Sequence, residues 1–241
     1  MELAIAVPDS SVLFLPREGH LVARLEAGVV LKSGDESVKD RFSRGIEVRL
    51  PSEALGNPGD LTFLTRRAVA AGEYEAIAVV RDLDSGDVGA LRIRVTIPAL
   101  SPDHLAMSSL VLSSLASPAR RIDLDPPDPE ERPQAVPAVT RTFTRSDKVT
   151  GSTSIYHPLR DLATGEARVT VRCRIRRGTE IVREFSPHRH LLTAGERLTS
   201  IRLEFPVDAS DLTPGLYDLQ VEAWDEVDGR GVVQRVEFIV R

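Results

Sequence analysis

Residues 72–97, GEYEAIAVVRDLDSGDVGALRIRVTI, align without a gap on residues 215–240, GLYDLQVEAWDEVDGRGVVQRVEFIV, and this internal repeat decides the fold. The offset is 143 throughout, with identities at Gly72 and Gly215, Tyr74 and Tyr217, Asp82 and Asp225, Gly86 and Gly229, and Arg92 and Arg235. Composition alone would give roughly one or two matches. The alternation agrees as well. Tyr74, Ala76, Ala78 and Val80, like Tyr217, Leu219, Val221 and Ala223, share one face of a strand. Beyond the turn, Ile93, Val95 and Ile97 match Val236, Phe238 and Val240 on an inward face, while Arg92 and Arg94 match Arg235 and Glu237 outward. Asp84-Ser85-Gly86 and Asp228-Gly229 supply the turns, because glycine reaches positive φ without a steric penalty and Asp bonds its own backbone. Each stretch therefore reads as a β-hairpin.

A tyrosine that follows glycine at the entry of a late strand, as in Leu212-Thr213-Pro214-Gly215-Leu216-Tyr217, matches the tyrosine corner of immunoglobulin-like sandwiches. Tyr74 and Tyr217 are the expected structural corners, and each hairpin is the closing F and G pair of a domain. The chain is thus expected to be all-β, with two immunoglobulin/fibronectin III-like β-sandwich domains in tandem over residues 1–99 and 100–241. A length of 241 residues suits two sandwiches of about 100 residues each with long loops. Earlier strands are expected at 2–7, 12–15, 20–31, 46–50 and 61–68, and at 110–115, 149–156, 167–176, 179–185 and 199–206. The proline-rich, charged stretch at about 117–138 cannot run through a sheet interior and reads as a loop of the second domain.

Composition narrows the functional classes. Apolar residues make up 41% of the chain but aromatics only 5%, so Val, Leu, Ile and Ala must fill the cores. A net charge of -5 gives no basic footprint for nucleic acid. Cys173 is the sole cysteine, which leaves no intramolecular disulfide and no cysteine metal cluster. The opening residues MELAIAVP carry no basic leader, and no stretch approaches the roughly 20 apolar residues of a membrane span. Neither a signal peptide nor membrane insertion is expected.

No nucleophile elbow, Gly-rich phosphate loop or paired metal-ligand motif occurs, so no catalytic residue, cofactor or metal is assigned and the chain is not expected to be an enzyme. Asp82, Asp84 and Asp87 could converge on calcium, since hard cations need several oxygens on one loop, but turn chemistry alone explains them and is the reading taken. His188 and His190 would share a face in a strand, but without a third ligand they read as a solvated loop. Arg172, Arg174 and Arg176 alternate with apolar residues as an outward stripe that Asp218 and Glu222 of a neighbouring strand, or an acidic partner, could pair with. Alternation also places Trp224, Ile77 and Val79 outward, where apolar surface tends to mark interfaces. Trp224, Ile77, Val79, Arg172, Arg174 and Arg176 are therefore the candidate surface for a protein partner.

Three segments carry a family resemblance: Pro214-Gly215-Leu216-Tyr217-Asp218-Leu219 through Asp225, the hairpin from Asp82 through Ser85-Gly86 to Gly89, and Leu105 with Ser108 to Ser113. Together they resemble the region downstream of the A domain in bacterial von Willebrand factor A-related proteins. The resemblance implies a β-rich accessory region of an exported or surface protein. It departs from that family in lacking any Asp-x-Ser-x-Ser motif, so the ion-dependent site of an A domain does not carry over. The expected function is a non-enzymatic structural or protein-interaction module of a larger extracytoplasmic assembly. The alternative is a carbohydrate-binding module, for which Trp224 and Tyr156 would be the aromatic supply.

Overall fold

A computed structural model describes residues 1–52, 59–101, 103–114, 120–125, 136–193 and 200–241. The chain divides into two compact units, Met1–Ala99 with Ser117–Val139 and Leu100–Ala116 with Thr140–Arg241. The first begins with β1 (Glu2–Pro8), β2 (Leu15–Arg17), β3 (His20–Ser33), β4 (Val38–Pro51), β5 (Asp60–Arg66), β6 (Gly72–Asp82) and β7 (Val88–Ile97). The second opens with β8 (Ala106–Met107) and β9 (Val111–Ser114), after which the chain returns to the first unit for β10 (Arg120–Asp123). The second unit then continues with β11 (Thr142–Phe143), β12 (Val149–Tyr156), β13 (Ala167–Arg177), β14 (Glu180–Glu184), β15 (His188–Leu192), β16 (Ser200–Val207), β17 (Gly215–Asp225) and β18 (Gly231–Val240). The fold is all-β. Among the described residues the only helical element is a turn at Asp9–Ser11, and no helix is long and apolar enough to cross a membrane.

In the first unit a three-stranded sheet, β1-β5-β10, faces a five-stranded one in which β2, β3, β6 and β7 follow in order and β4 also pairs with β3. Leu21, Ala23, Leu25 and Ala27 of β3 alternate inward and meet Leu61 and Phe63 of β5, with Val80 and Leu124. In the second unit the order β16-β12-β8, with β9 also on β12, faces β11-β18-β17-β13-β14, with β15 also on β13. Its core reads straight from the alternation: Val169, Val171, Cys173 and Ile175 of β13, and Tyr217, Leu219, Val221 and Ala223 of β17, are all buried. The Phe238 ring lies 6.2 Å from Phe143 and 5.7 Å from Tyr217.

Both hairpins pair in the register their repeat implies, Tyr74 opposite Val95 and Tyr217 opposite Phe238. Gly86 and Gly229 adopt φ of 84° and 73°, the left-handed conformation each turn requires.

One expectation is corrected. The stretch at 117–138 is not simply a loop of the second domain, because Arg120–Asp123 pairs in parallel with β5, setting Ile122 opposite Phe63, and Leu124 is fully buried in the first unit's core. The short alternation Ile122-Asp123-Leu124 is the cause, and flanking prolines masked it in sequence. Residues 115–119 and 126–135 lie outside the described set.

Candidate interaction surface

The groups with the most chemical potential are mostly engaged by the scaffold. Asp82, at the end of β6, is buried and accepts hydrogen bonds from the backbone N–H groups of Leu13 (2.7 Å), Asp84 (2.9 Å) and Ser85 (3.1 Å). Asp225, its repeat counterpart at the end of β17, is likewise buried and accepts from Leu159 N–H (2.7 Å) and Val227 N–H (2.9 Å). In each unit one carboxylate therefore caps its own turn and pins a distant loop. Burial pushes the Asp82 carboxyl up, but the N–H groups of Leu13, Ser85 and Asp84 together outweigh it and hold it below the ordinary carboxylate range. Asp84, the second member of the acidic turn, is held by the Arg24 guanidinium, with Arg17 3.6 Å away. These carboxylate oxygens serve N–H donors and guanidinium groups, and no grouping of three or more His, Cys, Asp or Glu side chains is placed to hold a metal ion among the described residues.

The two tyrosines sit where each chain segment turns into its late strand. The Tyr74 hydroxyl donates to Ala70 carbonyl oxygen at 3.0 Å and the Tyr217 hydroxyl donates to Thr213 carbonyl oxygen at 2.6 Å. Tyr217→Phe keeps the ring against Phe238 and removes this bond together with the 3.1 Å hydrogen bond between the Tyr217 and Thr213 hydroxyls, so a loss of about 1 kcal/mol in urea unfolding is expected. An unchanged midpoint would show that the bond adds nothing over hydration.

His188 and His190 lie in strand β15 rather than in a loop, with His188 opposite Val171 and His190 opposite Val169. Pairing with β13 supplies the backbone partners that make this segment a strand. Burial, and secondarily the neighbouring His188, pushes the His190 imidazole below its ordinary value. Cys173 is a buried thiol that burial pushes up to about 11, which keeps it out of thiolate chemistry.

The arginine stripe of β13 faces outward and is largely satisfied within the sheet. Arg174 bonds Glu184 at 2.9 Å and Glu222 at 3.4 Å; Arg176 donates to Gln220 Oε1 at 3.1 Å and to Thr179 carbonyl oxygen at 3.0 Å. Gln220 Nε2 in turn donates to Glu222 at 2.6 Å, joining the two arginines in one network. Arg172 is exposed and forms no ion pair among the described residues, although it stands opposite Glu222 in the ladder.

Trp224 is 55% exposed on the same outer face. Its indole is not wholly open, because Trp224 sits opposite Gly231 and a Cβ added there would come within 3.2 Å of the ring. A large ring thus covers a backbone position that has no side chain of its own. Leu216, Val233 and Ile239 are exposed on the same outer face, but only Val233 lies near Trp224, diagonally across the ladder beside Gly231; Leu216 and Ile239 pair at the far end of the hairpin, beyond Asp218, Gln220, Glu222, Arg235 and Glu237. Tyr156 lies on β12, in the opposite sheet of the unit, so it shares no face with Trp224. In the first unit, Ile77 and Val79 are half-buried on the outer face of β6, with Val30 opposite Ile77 on one side and Ala90 opposite Val79 on the other. The six candidate residues therefore divide between two units, Ile77 and Val79 in one and Trp224, Arg172, Arg174 and Arg176 in the other.

No protein-family model and no curated protein matches the sequence.

Proposed function

We propose that the chain is a non-enzymatic structural or protein-interaction module of a larger extracytoplasmic bacterial assembly, corresponding to the β-rich region downstream of an A domain in von Willebrand factor A-related proteins. The observation that carries this reading is the outward, 55% exposed Trp224, with exposed Val233 diagonally across the ladder, on a sheet where Arg174 and Arg176 are already engaged by their neighbours. Exposed apolar side chains flanked by polar groups are what protein partners cover, with tryptophan the favoured anchor. The buried carboxylates act as scaffold, which supports a binding role over a chemical one.

The test is capture from envelope and soluble fractions of the native bacterium, with the wild-type chain beside Trp224→Ser and Ile77→Ser. A protein retained by wild type and lost with one variant is expected, and it maps the docking face. Capture of nothing by wild type, or identical capture by all three, overturns the Trp224 and Ile77 faces as docking sites. Both side chains lie on outer faces, so unchanged far-UV circular dichroism is the control for folding.

A further inference from the structure

The repeat equates β6 and β7 with β17 and β18, the antiparallel pairing of β1 with β5 parallels that of β12 with β16, and one difference between the units stands out. In the second unit β8 and β9 pair antiparallel with the outer edge of β12, and β11 pairs in parallel with the outer edge of β18. These strands close the side opening between the two sheets and bring Met107 and Phe143 inside, where both are buried. Gln234 of β18 reaches the Met107 carbonyl oxygen at 3.4 Å across that closure. In the first unit the equivalent strands, β1 and β7, end their sheets, and no described strand pairs with either outer edge.

What lies there is an apolar cavity of about 350 Å³ between β1 and β7, lined by Leu3, Ile5, Val7, Ala78, Leu91 and Ile93 among others, with Val139 closing part of it. The inward face of β7 is correspondingly uncovered. Ile93 is 44% exposed where its counterpart Val236 is 7%, and Leu91 is 61% exposed. Exposed inward apolar side chains beside two sheet edges with open hydrogen-bonding groups form a template for strand addition.

We propose that this opening is an acceptor site for an extended segment donated by a partner polypeptide, lying antiparallel to β1 and parallel to β7 as β8, β9 and β11 lie in the second unit. The inference rests on the interaction-module reading and names the chemistry of one partner. The donor carries large apolar side chains at alternate positions, which enter the cavity as Met107 and Phe143 do in the other unit. Its intervening side chains face the outer surface beside Arg92 and Arg94 of β7; Arg94 forms no ion pair among the described residues, so acidic residues fit there. Backbone pairing supplies affinity and the apolar pockets supply register.

The probe is a labelled peptide copying Leu105–Ser114, the capping segment of the second unit, added to the full chain. Saturable binding is expected, with slowed amide exchange in β1 and β7. Ile93→Asp and Leu91→Asp place a charge in the groove and should weaken binding by about tenfold or more. Both positions are already exposed, so these variants keep their thermal midpoint. Absence of saturable binding overturns the proposal, as does binding undiminished by Ile93→Asp or binding with slowed exchange only in the second unit. A fatty acid bound where the peptide is not would identify a lipid pocket instead, and a dimer of the chain alone that Ile93→Asp dissociates would identify a second copy. Failure here while Trp224-dependent capture persists removes the acceptor site alone. Peptide binding by a chain that captures nothing removes the Trp224 face alone.

Discussion

Asp82→Ala is expected to lower the stability of the first unit by about 3 kcal/mol, the largest effect foreseen for a polar substitution in this chain. The change leaves three N–H groups, those of Leu13, Asp84 and Ser85, without the buried carboxylate that joins them, and it releases the loop before β2 from the end of β6. Urea unfolding followed by circular dichroism measures it. Trp224 lies in the second unit, so its fluorescence reports a transition the substitution does not touch directly. A shift below about 1 kcal/mol would mean that water replaces the carboxylate at little cost. The same residue predicts a pH dependence. Its carboxyl is held below the ordinary value when folded, so the stabilisation is present above the unfolded carboxylate pKa of about 3.9 and is lost as pH falls through the lower folded value. Asp82→Asn should flatten that acid limb of the stability profile, and an unchanged limb would assign acid sensitivity to other carboxylates.

Phe238→Ala should destabilise the second unit by about 3–5 kcal/mol. Phe238 is buried between Phe143 and Tyr217, and its removal empties the place where β11 meets β18 and where the corner tyrosine packs. Trp224 fluorescence in urea reads the loss. The repeat provides an internal comparison, because the counterpart Val95 is only partly buried and, among the described residues, no strand equivalent to β11 covers it. Val95→Ala is expected to remove about 1 kcal/mol. Equal losses at the two positions would show that the opening beside β7 is as well packed as the closed side of the second unit, which its exposed Leu91 and Ile93 contradict.

Period-two alternation made the hairpins and the core faces of β13 and β17 legible, because each strand is long enough to repeat the pattern four or five times. The same rule placed Trp224 outward. It did not reveal that the indole covers Gly231, since that depends on the register of the hairpin rather than on either residue alone. Asp82 and Asp225 were visible as a repeated identity and were read as turn residues; their bonds to Leu13 and Leu159 span 69 and 66 positions, and no local pattern carries such a reach. The first half of β4, VKDRFSRG at 38–45, was missed because both its faces are rich in polar residues, and β10 because four residues between proline-rich flanks are too short to show a period. The opening between β1 and β7 left no mark in sequence. Leu91 and Ile93 alternate as core residues do, and nothing in that alternation shows whether a strand covers them.

The chain passes from one unit to the other after Ala99, back after Ala116, and across again after Val139. On a ribosome, the strands of the first unit up to β7 emerge with Phe63 and Leu61 still missing the neighbour that β10 and Leu124 provide. Before that neighbour arrives, β8 and β9 of the second unit are already outside the tunnel and waiting for β12. No single cut separates the two halves, since a fragment holding all of the first unit, 1–139, also carries β8 and β9 of the second, and a single protease cut within 117–139 would leave β10 tethered to its sheet from one side only.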